Sequence, residues 1–409
     1  MYMKSKFLPF SILAIILSST LSFAQLDTSN GRYYSQIFSN VTTSSNVVFG
    51  SYISFGLQTN LTMDIYQPTG DVAIMRPLIV LAHGGSFQFG DKNEADIVAM
   101  CQTFAKMGYV TCSINYRTGF FPIDSVNATQ AVLKATQDMK AAVRFFRKDA
   151  ATANTYKIHP DYVYVGGSSA GAFMALHLAY MDQPSEFPLG LTTLTSLGGL
   201  EGTSGNPGYP SYASAVINLC GALGDASYLQ AGDVPFVSMH GNADATVPYA
   251  HAIIVSLGYS VMYVDGSSSI HARALAVGVN NPFYTFNGAD HVPYLNNAAY
   301  LDTTINYVRD FLLPLVAAAP LKTSSNVSSE EQLTTYPNPS EGTIFVDYTF
   351  KNSSTLKYEL IDLSGRTIQS GILNSQLNQL STSEVKSGLY LLQLTDEAKH
   401  STLSKVMVR

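Results

Sequence analysis

The sequence predicts an α/β chain, a doubly wound and mostly parallel sheet, with a small C-terminal all-β sandwich behind it. Three observations carry that expectation. Continuous apolar runs such as residues 77–82 and 109–116 alternate with amphipathic helical text, as strands covered on both faces by helices do. Each run ends in a polar, glycine-bearing loop, and open parallel sheets bind ligands at the carboxyl ends of their strands. From Tyr336 onward the text changes to short runs broken by Gly342, Ser364-Gly365 and Ser387-Gly388, the mark of strands joined by tight turns.

Composition bounds the rest. A chain of 409 residues, 46% hydrophobic and 11% aromatic, is long enough for one large domain and one smaller one. Its net charge of −6 and lack of any Lys/Arg run exclude nucleic acid and anionic membrane surfaces as partners. At the N-terminus, Lys4 and Lys6 precede an apolar run over 7–17 and the small-x-small site Ser22-Phe-Ala24. Residues 1–24 therefore read as a secretory signal peptide. The run is too short for a membrane anchor and carries Pro9, and no later segment could span a bilayer. Cys101, Cys112 and Cys220 allow at most one disulfide, and their apolar settings predict buried thiols.

Taken in order, residues 46–66 alternate as an antiparallel sheet edge, and Pro68-Thr-Gly-Asp71 closes it with a turn. The buried run 77–82 ends in His83-Gly-Gly-Ser86. Helical text over 94–107 leads to the run 109–116. A helix over 138–149 sets Ala142, Val143, Phe145 and Phe146 against Lys140, Arg144, Arg147 and Lys148. Residues 161–172 then pass from strand to small-residue turn to helix. Residues 182–212 are rich in Gly, Ser, Thr and Pro, which predicts a loop over an open site in place of a helical lid. Runs at 215–219, 235–239 and 283–286 follow, with a last helix over 295–313. The composition of 314–335 is that of a linker. The expected division is thus signal peptide 1–24, catalytic domain 25–315, linker 316–335 and β-sandwich 336–409.

The turn at 166–171 is the chemical centre. In a G-x-S-x-G elbow the serine takes a strained, positive-φ backbone, so the residues two before and two after must be tiny. Gly167 and Gly171 meet that demand around Ser169, whereas a frame on Ser168 would place Ala170 at the crowded second position. A serine nucleophile needs a histidine base, a carboxylate to orient it and amides for the oxyanion. Asp244 follows the run that ends at Met239, and His291 follows the run 283–286, so both stand in loops at strand ends. Asp225, Asp233 and Asp265 lie elsewhere and read as capping or solvated carboxylates. His159, His177, His251 and His271 lack the strand-end placement, with His271 in helical text and His251 opening a helix. The oxyanion donors expected are the amides of Ala170, Gly85 and Ser86. His83 and His240 read as loop braces. This chemistry calls for no cofactor and no metal.

Four motifs, His83-Gly-Gly-Ser86, the elbow around Ser169, His240-Gly-Asn-Ala-Asp244 with Val247-Pro248, and Gly288-Ala-Asp-His291, together resemble the α/β-hydrolase carboxylesterases. The nearest branch is the feruloyl-esterase-like and hormone-sensitive-lipase-like group, and the segment 137–144 resembles the helix before the elbow there. The resemblance spans roughly residues 45–315 and departs at Ser86, where many members carry a third glycine. Tyr336-Pro-Asn-Pro, Ser387-Gly-Leu-Tyr and the basic terminus at 405–409 resemble the type IX secretion sorting domain of Bacteroidetes. That resemblance implies passage through the periplasm, contact with the type IX machinery, and release or display outside the cell. The expected function is a secreted serine carboxylesterase acting on feruloyl or acetyl polysaccharide esters or other bulky esters. Its alternatives are a peptidase of the prolyl-oligopeptidase type and an inactive surface scaffold.

Overall fold

Eight strands form one sheet that carries the larger part of the chain. The computed structural model describes residues 26–54, 56–256, 258–317, 332–336, 340, 342–349, 356–362, 366–373, 377–395 and 401–408. The signal-peptide segment and residues 318–331 of the expected linker lie outside them. In chain order the first part comprises β1 (Val41–Ser54), β2 (Leu57–Pro68), β3 (Arg76–Ala82), α1 (Ala95–Lys106), β4 (Val110–Ile114), α2 (Ser125–Ala151), β5 (Ile158–Ser168), α3 (Ala170–Tyr180) and α4 (Gly190–Ser196). There follow β6 (Ala215–Leu219), β7 (Ala222–Leu223), β8 (Phe236–Gly241), β9 (His251–Ser256), β10 (Tyr259–Gly266), α5 (Ser267–Val277), β11 (Phe283–Phe286) and α6 (Ala298–Ala317).

The sheet order is β1-β2-β4-β3-β5-β6-β8-β11, with β1 and β2 forming an antiparallel edge and β4 through β11 running parallel. Alternation along β3 explains its continuous apolarity. Leu78 and Val80 enter the core shared with α2, α3 and α5, while Ile79 and Leu81 enter the core shared with α1 and α6. Strand order reverses between β3 and β5, because the chain winds from β3 out to β4 and then from β5 the other way. A crevice opens at the carboxyl ends of two such strands, and those ends carry His83 and Ser169 here.

Five expectations are corrected. The helix read over 138–149 begins thirteen residues earlier, at Ser125, where the Asp124 side chain accepts the amide of Asn127 at 2.8 Å. Its cationic residues do not form a solvated face: Lys140, Arg144 and Arg147 are buried. Lys140 and Arg144 pair with Glu201 at 2.8 and 2.9 Å, and Arg147 donates to the Pro210 carbonyl at 2.9 Å while stacking on Tyr212. The segment read as a loop is therefore strapped along α2, and it holds a 3-10 turn over Pro184–Glu186 and a short α-helix, α4. Gln137 Nε2 donates to the carbonyls of Leu197 and Gly199 at 2.9 and 2.7 Å, and the Ser204 hydroxyl donates to Asp138 at 2.5 Å. His251 opens a strand and not a helix, since β9 and β10 form a hairpin whose β10 also pairs with β7. Finally, α6 runs through Pro314 to Ala317, past the expected end of the helix.

The C-terminal part holds β12 (Gln332–Tyr336), β13 (Thr343–Thr349), β14 (Leu356–Asp362), β15 (Thr367–Leu373), β16 (Leu377–Ser381), β17 (Gly388–Thr395) and β18 (Ser401–Val408). They make two antiparallel sheets, β12-β13-β16 and β15-β14-β17-β18. Ile344, Val346 and Leu380 from the first share one core with Leu360, Leu392 and Val406 from the second, which is a small β-sandwich.

Candidate active site

The elbow is built by contact between small residues. Ser169 has φ 54° and ψ −116°, a backbone that costs a non-glycine residue strain, and it stands as the N-cap of α3. A Cβ on either Gly167 or Gly171 would collide with the carbonyl oxygen of Ala82 at the end of β3. The neighbouring Ser168 ends β5 and is used internally, its hydroxyl 2.7 Å from that of Tyr294. The two serines thus differ: one carries the strained turn, the other ties the strand end to the loop beyond His291.

Ser169, His291 and Asp244 are brought together from three separate strand ends. Ser169 Oγ lies 2.9 Å from His291 Nε2, and His291 Nδ1 lies 2.6 Å from Asp244 Oδ2. Asp244 Oδ1 accepts the amides of Thr246 and Val247, both at 2.8 Å. The Asp244 side chain has no solvent exposure and that of His291 keeps 16%, so the chain of groups climbs from the interior to the surface. Burial pushes the Asp244 pKa upward. Hydrogen bonds from His240 and His291, the charge of His291 and the Val247 amide outweigh it, and the carboxyl is held well below the usual range. An ionised carboxylate on Nδ1 fixes the tautomer that leaves Nε2 open to take a proton from Ser169.

The His83 loop lies against Ser169. A Cβ on Gly84 would stand 3.3 Å from Cβ of Ser169, and Gly85, Ser86 and Phe87 take φ of 112°, 54° and 60° in succession. Gly85 closes the turn by accepting the amides of Gln88 and Phe89 at 2.9 and 3.2 Å. His83 is buried and stacks on Tyr116 at 4.3 Å, and its Nδ1 is 2.6 Å from the Gly84 carbonyl oxygen. The Tyr116 hydroxyl donates to the carbonyls of both His83 and Gly84 at 3.0 Å. His83 therefore braces the loop. Ala170, whose amide is the third expected oxyanion donor, is the first residue of α3, where amides and helix dipole favour negative charge.

The other acids and histidines have work elsewhere. Asp225 accepts Ser227 N at 2.8 Å, Asp233 accepts Gln230 N at 2.6 Å, and Asp265 accepts Ala226 N at 2.7 Å and pairs with His251 at 2.8 Å. His177 donates from Nδ1 to the Phe173 carbonyl and accepts Gly224 N at Nε2, and burial pushes its pKa down to about 4. His271 meets Asn281 at 2.9 Å, and Nδ1 of His159 accepts Asp161 N at 3.2 Å. One contact escaped the sequence: His240, expected only to brace a loop, reaches Asp244 Oδ2 with Nε2 at 3.1 Å. The i, i+4 spacing in His240-Gly-Asn-Ala-Asp244 was the available signal.

Cys220, His240 and Asp244 bring possible metal-ligand atoms within 4.8 Å of one another. The set does not suit a metal ion, because burial pushes the Cys220 thiol up to about 12 and both oxygens of Asp244 already accept hydrogen bonds. All three cysteines are buried and free.

Comparison with known proteins agrees with this architecture. Residues 63–200 match the family described as BD-FAE, and residues 334–409 match the secretion system C-terminal sorting domain. Over 114 residues, 27% of this chain, the sequence is 31% identical to the neuroligin-like protein glit-1 of Caenorhabditis elegans, and the match spans 15% of that protein's length. The apo form of Thermogutta terrifontis esterase 2 is 22% identical, with a TM-score of 0.50 over 67% of this chain and 96% of that one. The same enzyme phosphorylated by paraoxon is 23% identical, with a TM-score of 0.49 over 67% and 95%. No helix among the described residues is long and apolar enough to cross a membrane, and the sorting domain marks the chain for type IX export to the outer surface or the medium. The chain thus joins an esterase- and lipase-like α/β-hydrolase domain of the BD-FAE kind to a type IX secretion sorting domain.

Proposed function

We propose that this chain is a secreted serine carboxylic ester hydrolase working through a Ser169-His291-Asp244 triad. The observation that carries this is the unbroken hydrogen-bond line from Ser169 Oγ through His291 to Asp244, at 2.9 and 2.6 Å. His291 Nε2 takes the hydroxyl proton as Ser169 Oγ attacks the ester carbonyl carbon. The resulting oxyanion rests on the amides of Ala170, Gly85 and Ser86, and the imidazolium, steadied by Asp244, returns the proton to the departing alkoxide. Water, activated by His291 in turn, hydrolyses the acyl-enzyme and restores Ser169.

The substrates proposed are bulky esters outside the cell, such as feruloylated or acetylated polysaccharide. Export of the chain supports this. Hydrolysis of p-nitrophenyl acetate by Ser169→Ala tests the nucleophile, and turnover should fall about 10⁶-fold. Near-normal turnover would refute it. A panel of aryl, acyl-chain and polymer-borne esters tests the substrate class, and strict preference for short soluble esters over every polymer would overturn that part.

A further inference from the structure

We propose that His240 is a positioning residue for the catalytic carboxylate, a second imidazole that donates from Nε2 to Asp244 Oδ2 and shares the charge His291 draws on. This rests on the Ser169-His291-Asp244 reading. His240 is the penultimate residue of β8 and has no solvent exposure. Its Nε2 faces two acceptors, Asp244 Oδ2 at 3.1 Å and the Val247 carbonyl at 3.2 Å, so the ring proton belongs there. Its Nδ1 is 2.8 Å from the Ser267 hydroxyl, and Ser267 is itself fixed by Asn218 Nδ2 at 3.0 Å. Asn218 also accepts the Gly221 amide at 3.0 Å, which ties the brace to the end of β6.

One oxygen, Asp244 Oδ2, therefore receives both imidazoles, while Oδ1 receives two backbone amides. Loss of His240 would leave the carboxylate placed by those amides but more basic, because one donor fewer shares its charge. A more basic Asp244 stabilises positive charge on the His291 ring more, and the acid limb of activity moves to higher pH. Mere loosening would weaken the Asp244-His291 contact and move the limb down. The other titratable groups near the His240 ring are the neutral Cys220 thiol and the edge-on Tyr249 ring, 5.7 Å between centroids. Asp265, two residues before Ser267, is committed to Ala226 N and His251.

The test is the pH profile of kcat/KM for an aryl ester in His240→Leu and His240→Gln. The leucine variant should show an acid limb raised by about one unit, with the activity near pH 7 lowered only as far as that shift accounts for. Glutamine, which can present an N–H where Nε2 stands, should return the limb most of the way. An unchanged or lowered limb in a folded leucine variant would overturn the proposal. Should the leucine variant not fold, long-range ¹H–¹⁵N imidazole spectra of the intact protein decide: a proton on Nε2 of His240 supports it, and a proton on Nδ1 alone refutes it. Loss of activity in Ser169→Ala with an unmoved limb in His240→Leu would sink this inference and leave the triad standing. An active Ser169→Ala would sink the triad itself.

Discussion

The carbonyl oxygen of Ala82 occupies the space that a Cβ on Gly171 would need. Together with the matching approach of Gly167 to the same oxygen, this contact sets how closely β3 approaches the elbow, and so how near the His83 loop stands to Ser169. Gly171→Ala should push the start of α3 away from the strand. We expect a stability loss of about 1–3 kcal/mol from overpacking and a fall in kcat of about 10²-fold or more from displacement of the nucleophile. Thermal unfolding and steady-state kinetics on one preparation check both.

In the proposed triad Asp244 fixes the tautomer of His291, whose Nδ1 lies 2.6 Å from Asp244 Oδ2. Asp244→Asn keeps the shape but can present an amide N–H to Nδ1, favouring the wrong tautomer. By the trypsin precedent kcat should fall about 10⁴-fold with KM little changed. A fall in KM-dependent binding alone would instead place Asp244 outside the proton path.

The acid side of stability should report Asp71. Its side chain is 3% exposed and receives Arg32 at 2.5 Å and Arg76 at 2.6 Å. Burial pushes its pKa up, but the two guanidinium groups outweigh that and bring it down to about 2. A carboxyl with a depressed folded pKa stabilises the fold above its unfolded value of about 3.9 and loses that contribution as pH falls toward 2. The contribution is roughly 2 kcal/mol. Asp71→Asn should flatten this part of the stability profile between about pH 4 and 2, and cost about 3–5 kcal/mol at neutral pH by leaving two buried cations without their partner.

Much of the candidate site was legible because each of its parts sits just after an apolar run: the His83 loop after β3, Ser169 after β5, Asp244 after β8 and His291 after β11. Local chemistry marks such places. What was not legible depends on partners distant in sequence. Lys140, Arg144 and Arg147 look like a wet helix face until Glu201, Pro210 and Tyr212 arrive from some 60 residues away to cover them. The β9–β10 hairpin was within reach, since β-branched runs on either side of Gly258 are a hairpin signal. An opening Ala-His-Ala, compatible with helix, masked it.

That cover over α2 carries its own prediction. Asp138 has no exposure, binds Arg117 at 2.8 Å and accepts the Ser204 hydroxyl. Asp138→Leu should cost about 3 kcal/mol, toward the lower end for a broken buried pair because Arg117 keeps 20% exposure. Limited proteolysis should then cut within residues 197–212 before other described parts of the hydrolase domain. Unchanged cleavage there would show that Asp138 does not hold the segment down.

The most direct measurement is labelling of the secreted protein by a fluorophosphonate, followed by peptide mapping. A serine activated by His291 predicts a single adduct on Ser169, lost in Ser169→Ala and strongly slowed in His291→Ala. No adduct, or one on Ser168 or another residue with Ser169 unmodified, would contradict the triad.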